Sequence, residues 1–159
     1  MSVEVTHPKV AEQVRFIRRD AQGELCIWNF RFEKARGFYN VGLESLVRQV
    51  KGARALGVKR LECWAAGNPK DTRYSGYYQW ARYGYDAPLT LREKMQIARF
   101  PQLAGAQTLN ELMLQGGNQW WKENGTERQM TFELGQDSSM MKTLRHYLMQ
   151  KHPELLPEL

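Results

Sequence analysis

The 159-residue sequence has little cysteine, little histidine and no long apolar run. Its two cysteines, Cys26 and Cys63, lie in apolar, strand-like stretches, which predicts buried thiols rather than a disulfide or a metal pair. The three histidines have no metal-ligand spacing, which excludes zinc hydrolases and zinc deaminases. No apolar run approaches the roughly 18 residues of a membrane span, and residues 1–19 lack the apolar core of a signal peptide. A cytoplasmic protein that does not enter the membrane is therefore expected.

The sequence does have an ordinary globular composition and an uneven, basic charge balance. Hydrophobic residues make up 42% and charged residues 25%, and the length suits one domain over residues 1–159. The formal net charge is +6, and residues 1–99 hold 18 Lys and Arg against 10 Asp and Glu. Such an excess suits a polyanionic ligand, which could be a nucleic acid, a phosphorylated cofactor or an acidic protein face.

Hydrophobic periodicity predicts an α/β fold of the α+β kind. Alternating residues on both sides of a turn at 20–23 predict an antiparallel hairpin over 14–30. Apolar residues at three- and four-residue spacing predict an amphipathic helix over 43–56, and a strand follows over 58–65. This helix is then the crossover of a strand, helix, strand unit that organises the fold.

The remainder of the chain is predicted to be mainly helical. Thr90 and Thr108 each stand three residues before a glutamate, the spacing of a capping box, which predicts two helix starts in a helical insertion over 86–125. Residues 126–151 are predicted to form a half-buried strand and a closing helix. The tail over 152–159 contains two prolines and is predicted to fray.

The junction over 36–42 is a candidate anion-binding loop, because it joins a predicted strand to the N-terminus of a predicted helix. Glycine, and to a lesser degree asparagine, tolerates a positive φ, so such a loop can aim successive N–H groups at an anion. The helix dipole adds about half a positive charge there. The candidate binding residues for a pyrophosphate are Arg36, Gly37, Asn40, Val41 and Gly42. The plainer interpretation is a tight turn between strand and helix.

The order of these elements, followed by Gly-Tyr-Tyr-Gln-Trp-Ala-Arg-Tyr-Gly-Tyr over 76–85, resembles the core of the GNAT N-acetyltransferase superfamily over residues 13–89. The resemblance is closest to GNAT-like domains of phage and mobile-element proteins. It implies a truncated GNAT-like mixed sheet with a central crossover helix and added C-terminal helices. It also implies an acetyl-CoA-dependent N-acetyltransferase acting on an unknown amine. The loop over 36–42 would hold the pyrophosphate, and the next strand would splay from its neighbour to admit the pantetheine.

The resemblance also suggests catalytic residues. In the family, a tyrosine before the corner that falls on residues 83–85 can protonate the departing thiolate. Trp80 stands at that position, and since an indole cannot supply this proton, Tyr77 or Tyr78 would take the role. Glu62 on the second strand is a candidate general base for the amine, although a solvated strand face is its plainer interpretation.

A non-catalytic binding or structural protein, in a virion or against a host protein or nucleic acid, is the competing hypothesis. Aromatic residues interleaved with arginines over 74–85 could pack on the sheet, line a cofactor site or, less favoured, stack on single-stranded nucleic acid. Trp120 and Trp121 could anchor a protein contact or form a local core. This hypothesis predicts a homo-oligomer or a protein partner that buries the aromatic stretch.

Overall fold

A computed structural model describes residues 1–4, 8–35, 37, 41–71 and 73–159. Within these ranges the chain forms one five-stranded sheet. Its strands are β1 (Ser2–Glu4), β2 (Val10–Arg19), β3 (Leu25–Lys34), β4 (Arg60–Ala65) and β5 (Arg128–Glu133). The strand order is β1-β2-β3-β4-β5, in which β3 and β4 run parallel and all other neighbours are antiparallel. The predicted mixed α+β class is confirmed.

Helices connect the strands and cover one side of the sheet. They are α1 (Val41–Ala55), α2 (Gly76–Arg82), α3 (Leu91–Ile97), α4 (Leu109–Leu114), α5 (Asn118–Asn124), α6 (Ser139–Lys151) and a final 3₁₀ helix (Pro153–Glu158). No described helix combines the length and apolar character needed to cross a membrane.

The hairpin and the crossover helix form as predicted. Ile17 of β2 lies opposite Ile27 of β3, and the Asp20 carboxylate accepts hydrogen bonds from two backbone N–H groups in the turn between the strands. Helix α1 then carries the chain to β4, and it stops before Gly57, whose φ of +74° suits glycine. Parallel pairing of β3 and β4 depends on this crossover, because parallel neighbours cannot be joined by a tight turn.

The two faces of the sheet differ in what covers them. On one face, side chains such as Ile27, Leu61 and Phe132 are buried and belong to the same core as the apolar residues of the helices. On the other face, Phe16 and Trp64 are exposed. We call these the covered face and the open face. Both cysteines are buried free thiols, as predicted.

The ends of the helices confirm one prediction and correct another. Thr90 and Thr108 both form complete capping boxes with the glutamates three residues later. The tail, however, is not frayed, because Pro153 begins the 3₁₀ helix and Leu155 is buried in the core. A proline at the first helical position loses no hydrogen bond that the helix would have made, so it starts this helix rather than preventing it.

Candidate functional site

The parallel strands β3 and β4 separate before they end. Their ladder runs from the pair Cys26–Arg60 to the pair Asn29–Cys63. Beyond it β3 continues to Lys34 beside β2, and β4 continues to Ala65 beside β5, but the ladder between them has stopped. Among the described residues, the inner edges of both strand ends therefore lack ladder partners. We call this region the strand gap, and it lies at the carboxyl ends of parallel strands, where α/β sheets commonly bind ligands.

Aromatic side chains and the first turn of α1 surround the strand gap. The ring of Trp80 lies with its centroid 6.3 Å from that of Phe32 and 5.4 Å from that of Tyr85. A Cβ atom built on Gly42 would lie 3.5 Å from Phe32 and 4.0 Å from Trp80, so the start of α1 packs closely against β3 and α2. The α1 N-terminus is thereby held beside the gap.

The predicted cofactor-binding residues are only partly described. Arg36 and Asn40 lie outside the described residues. Gly37 has a φ of +84°, as the predicted anion-binding loop requires of its glycine. Val41 is buried and Gly42 is half-buried at the start of α1. Their assignment to a pyrophosphate stays a prediction.

The two candidate proton donors on α2 have different surroundings. The Tyr77 hydroxyl donates a hydrogen bond to the backbone carbonyl of Lys122 (2.7 Å). Burial raises the pKa of Tyr77, and the neighbouring Tyr78 raises it further by a smaller amount. Tyr78 is half-buried, with its ring 5.1 Å from the Arg82 guanidinium and 6.0 Å from the Lys122 ammonium. The proton of Tyr77 thus serves a structural hydrogen bond, and the assignment of either tyrosine as proton donor stays a prediction.

Glu62, the candidate base, lies on the open face. Its carboxylate is buried between Arg18 and Arg60, and Arg60 also contacts Asp20 at 2.7 Å. Burial alone would raise the pKa of Glu62, but hydrogen bonds from Arg60 and Arg18 outweigh it and hold that pKa below its usual value. The prediction of a solvated Glu62 is wrong, because Arg60 of the same strand and Arg18 of β2 cover it. A carboxylate held in this way is a weak base.

These candidate catalytic residues are not brought together. Glu62 pairs across the sheet with Trp28, whose ring carries the Arg18 guanidinium 5.6 Å from its centroid. Tyr77 belongs instead to the core on the covered face. The sheet itself therefore separates the predicted base from the predicted acid, although each could still act with another group.

A polar cluster on the covered face was not predicted. Arg15 Nη2 donates to Ser45 Oγ (3.1 Å), and the Gln13 amide oxygen, oriented toward them, accepts from Arg15 Nη2 (2.5 Å) and Ser45 Oγ (3.0 Å). Nearby, Gln49 Nε2 donates to Asn29 Oδ1 at 2.8 Å. These side chains lie between α1 and the strands β2 and β3. The signal in the sequence was the spacing of two residues, because Gln13, Arg15 and the inward-facing Ile17 occupy every second position of β2 and so share one face.

The aromatic residues fall into two groups. Tyr77, Tyr83 and Tyr85 are buried, so packing on the sheet is confirmed as the main role of the 74–85 stretch. Trp121 is also buried, which confirms the local-core interpretation for that residue. A second group, which sequence reasoning passed over, lies on the open face and consists of Phe16, Trp28, Phe30 and Trp64.

The described residues contain no group of three or more His, Cys, Asp or Glu side chains placed to hold a metal ion. Comparisons with protein-family models, with curated proteins and with solved structures find no match to this chain. The geometry of the strand gap, the polar cluster and the open face is therefore the basis for assigning a function.

Proposed function

We propose that this protein is a GNAT-like acyltransferase that binds acetyl-CoA in the strand gap. The observation that carries the proposal is the end of the β3–β4 ladder at Asn29 and Cys63, while both strands continue. Pantetheine is an extended chain with two amides, and the inner strand edges offer N–H and C=O groups to such a chain. The start of α1 beside the gap suits the pyrophosphate, since a helix N-terminus attracts anions.

Acetyl-CoA supplies a thioester whose carbonyl an amine can attack, so a C–N bond forms and the C–S bond breaks. Backbone N–H groups of β4 near Cys63 and Ala65 would polarise that carbonyl. Tyr78 would donate the proton that the departing sulfur takes up, because its hydroxyl is not engaged in the bond that occupies Tyr77. Glu62 is on the other face, so the proton that the amine loses would pass, directly or through water, to the Tyr78 oxygen and restore the hydroxyl that protonated the sulfur.

Calorimetry with acetyl-CoA and with CoA tests the binding step. We expect both ligands to bind, and Gly42→Glu to abolish binding, since it adds bulk and negative charge beside Phe32 and Trp80. Gly52→Glu on the same helix is the matched control, because a Cβ atom there meets nothing within 4 Å. Thermal unfolding of both variants separates lost binding from lost folding. Absence of binding at millimolar ligand, or equal loss in both variants, would overturn the proposal.

Acetyl transfer is tested separately, with free thiol released from acetyl-CoA measured in the presence of a panel of amines. We expect Tyr78→Phe to reduce kcat and Tyr77→Phe to leave it close to that of the wild type. The reverse order would reassign the proton donor to Tyr77. Binding of CoA without turnover by any amine would leave a binding protein and would contradict the transferase assignment.

A second candidate function, a non-catalytic protein-binding module, is favoured by the open face. Phe16, Phe30 and Trp64 are 38%, 61% and 53% exposed there, and aromatic residues are enriched at protein interfaces. Arg18 and Arg60 on the same face already pair with carboxylates, so neither of these two cations is free to contact a nucleic acid phosphate. This function takes a protein partner, and a second copy of the chain is its simplest form.

Sedimentation equilibrium of the wild type and of a Phe30→Ser, Trp64→Ser variant tests this second function. A Leu91→Ser, Met95→Ser variant is the matched control, because these two apolar side chains of α3 are even more exposed than Phe30 and Trp64. We expect wild type and control to self-associate with rising concentration and the open-face variant to stay monomeric. A monomeric wild type, or equal association of all three proteins, would count against self-association.

A further inference from the structure

A cleft lies between β2 and α1, apart from the strand gap. Its volume is about 300 Å³, at the lower end of the range for small-molecule sites. One helix face lines it from the first turn of α1 to Leu56 just beyond the last, with β2 opposite. The walls contain both polar and apolar side chains, because Ile17 and Ile27 line the cleft together with residues of the polar cluster.

Arg15 gives this cleft an unbalanced positive charge. Among the described residues, no carboxylate lies within 4.0 Å of the Arg15 guanidinium, and the hydrogen-bond partners described above are neutral. Glu44 also lines the cleft, but it pairs with Lys9 at 3.6 Å. Burial lowers the pKa of Arg15, with a smaller opposing effect of Tyr85. A half-buried cation without an ion pair favours an anionic ligand.

The arrangement along the cleft also suggests the rest of the ligand. Arg15 and Ser45 occupy the middle of the cleft, because other residues that line it stand both before and after each of them along β2 and α1. Toward the end of α1 the wall becomes apolar, with Ile17 and Ile27 opposite Ala53. Gly52 leaves additional space there, because a Cβ atom on it meets nothing within 4 Å.

We infer that this cleft binds a small amphipathic carboxylate, whose head group pairs with Arg15 and Ser45 and whose alkyl chain lies against Ile17, Ile27 and Ala53. The Gln13 amide rotates or shifts to share the guanidinium with the head group. The acetyl-CoA proposal rests on the gap between β3 and β4, whereas this cleft lies between β2 and α1, and the two share only the first turn of α1, where Val41 lines the cleft.

Titration with octanoate, followed by amide chemical shifts, tests this inference, with octanol and inorganic phosphate as comparison probes. We expect octanoate to bind to the wild type and to shift residues of β2 and α1, and Arg15→Gln to weaken it about tenfold or more. Octanol binding as tightly as octanoate would overturn the role of Arg15. Phosphate binding as tightly as octanoate would overturn the role of the alkyl chain.

Gly52→Leu provides a second test that does not disturb the polar cluster. The new side chain would fill the apolar end of the cleft, and leucine favours helix more than glycine does, so the fold should be at least as stable. We expect octanoate binding to be lost while the thermal midpoint stays equal or rises. Undiminished octanoate binding in a stably folded Gly52→Leu variant would overturn the proposed position of the chain.

Discussion

Strand β2 carries arginines on both faces of the sheet, and they are treated differently. Arg18 on the open face shares the Glu62 carboxylate with Arg60, and Arg60 also binds Asp20. Arg15 on the covered face has neutral hydrogen-bond partners instead. The open-face cluster is thus complete without a ligand, whereas the covered-face cluster keeps a charge that a ligand could neutralise. The two clusters lie on the same strand, so position in the fold does not distinguish them. They differ in whether a carboxylate compensates the charge of the arginine.

The largest expected effect separates the two faces themselves. Phe132→Ala on the covered face should lower the free energy of unfolding by about 3–5 kcal/mol, because Phe132 is fully buried. Phe30→Ala on the open face should cost less than about 1 kcal/mol, since most of its ring is in water. Urea unfolding measures both values. Equal costs would mean that another surface covers the open face in solution.

The next largest effect concerns the two arginine clusters. Glu62→Gln leaves Arg18 and Arg60 close together without their shared carboxylate and should cost about 2 kcal/mol, less than a fully buried pair because the arginines reach solvent. Arg15→Met removes an uncompensated cation and should change stability by less than about 1 kcal/mol in either direction. Chemical denaturation of both variants measures the two changes in stability. An Arg15→Met variant that loses as much stability as Glu62→Gln would contradict the expected difference.

The pH dependence of stability sharpens the same contrast. Because the pKa of Glu62 is lower in the folded than in the unfolded protein, its contribution is present above the ordinary carboxylate pKa and is lost as pH falls through the folded pKa. Wild type should therefore lose its advantage over Glu62→Gln as pH falls below about 4.3. The difference between the two unfolding curves isolates this group from all other carboxylates. A difference that stays constant down to acid pH would contradict the assignment.

The smallest effect concerns the cleft that Arg15 enters. Gly52→Ala should raise the free energy of unfolding by about 0.5–1 kcal/mol, because alanine favours the helix interior and meets no neighbour there. Thermal unfolding measures the gain. A loss of stability would show that Gly52 is closely packed and would remove the space assigned to the alkyl chain.

Most of the framework follows from local patterns in the sequence. Periodicity and capping boxes predicted the hairpin, α1 and the starts of α3 and α4, since these depend on residues within a few positions of one another. The short strand β1 and the 3₁₀ helix at the tail were missed, because long-range pairing and the burial of Leu155 create them.

The candidate site was less predictable than the fold. Arg60 shares a face with Glu62 at a spacing of two residues, but the approach of Arg18 from β2 depends on the register of the sheet, which no local pattern reports. The separation of β3 from β4 was implied only by the family resemblance, because both strands look continuous along the sequence. The position of Arg15 on the covered face could have been predicted from the alternation of side chains along β2. That alternation does not show which residues of α1 lie opposite Arg15.

The pairing of β4 with β5 has a consequence for synthesis. Six residue pairs join the two strands, from Arg60–Glu133 to Ala65–Arg128, and the helices α2 to α5 lie between them along the chain. During synthesis, the backbone N–H and C=O groups on one edge of β4 therefore lack their partner strand until residues 128–133 have left the ribosome. Apolar strands with unpaired edges recruit other chains, so fragments that stop before Arg128 should aggregate. Chaperone demand should accordingly fall once β5 is complete.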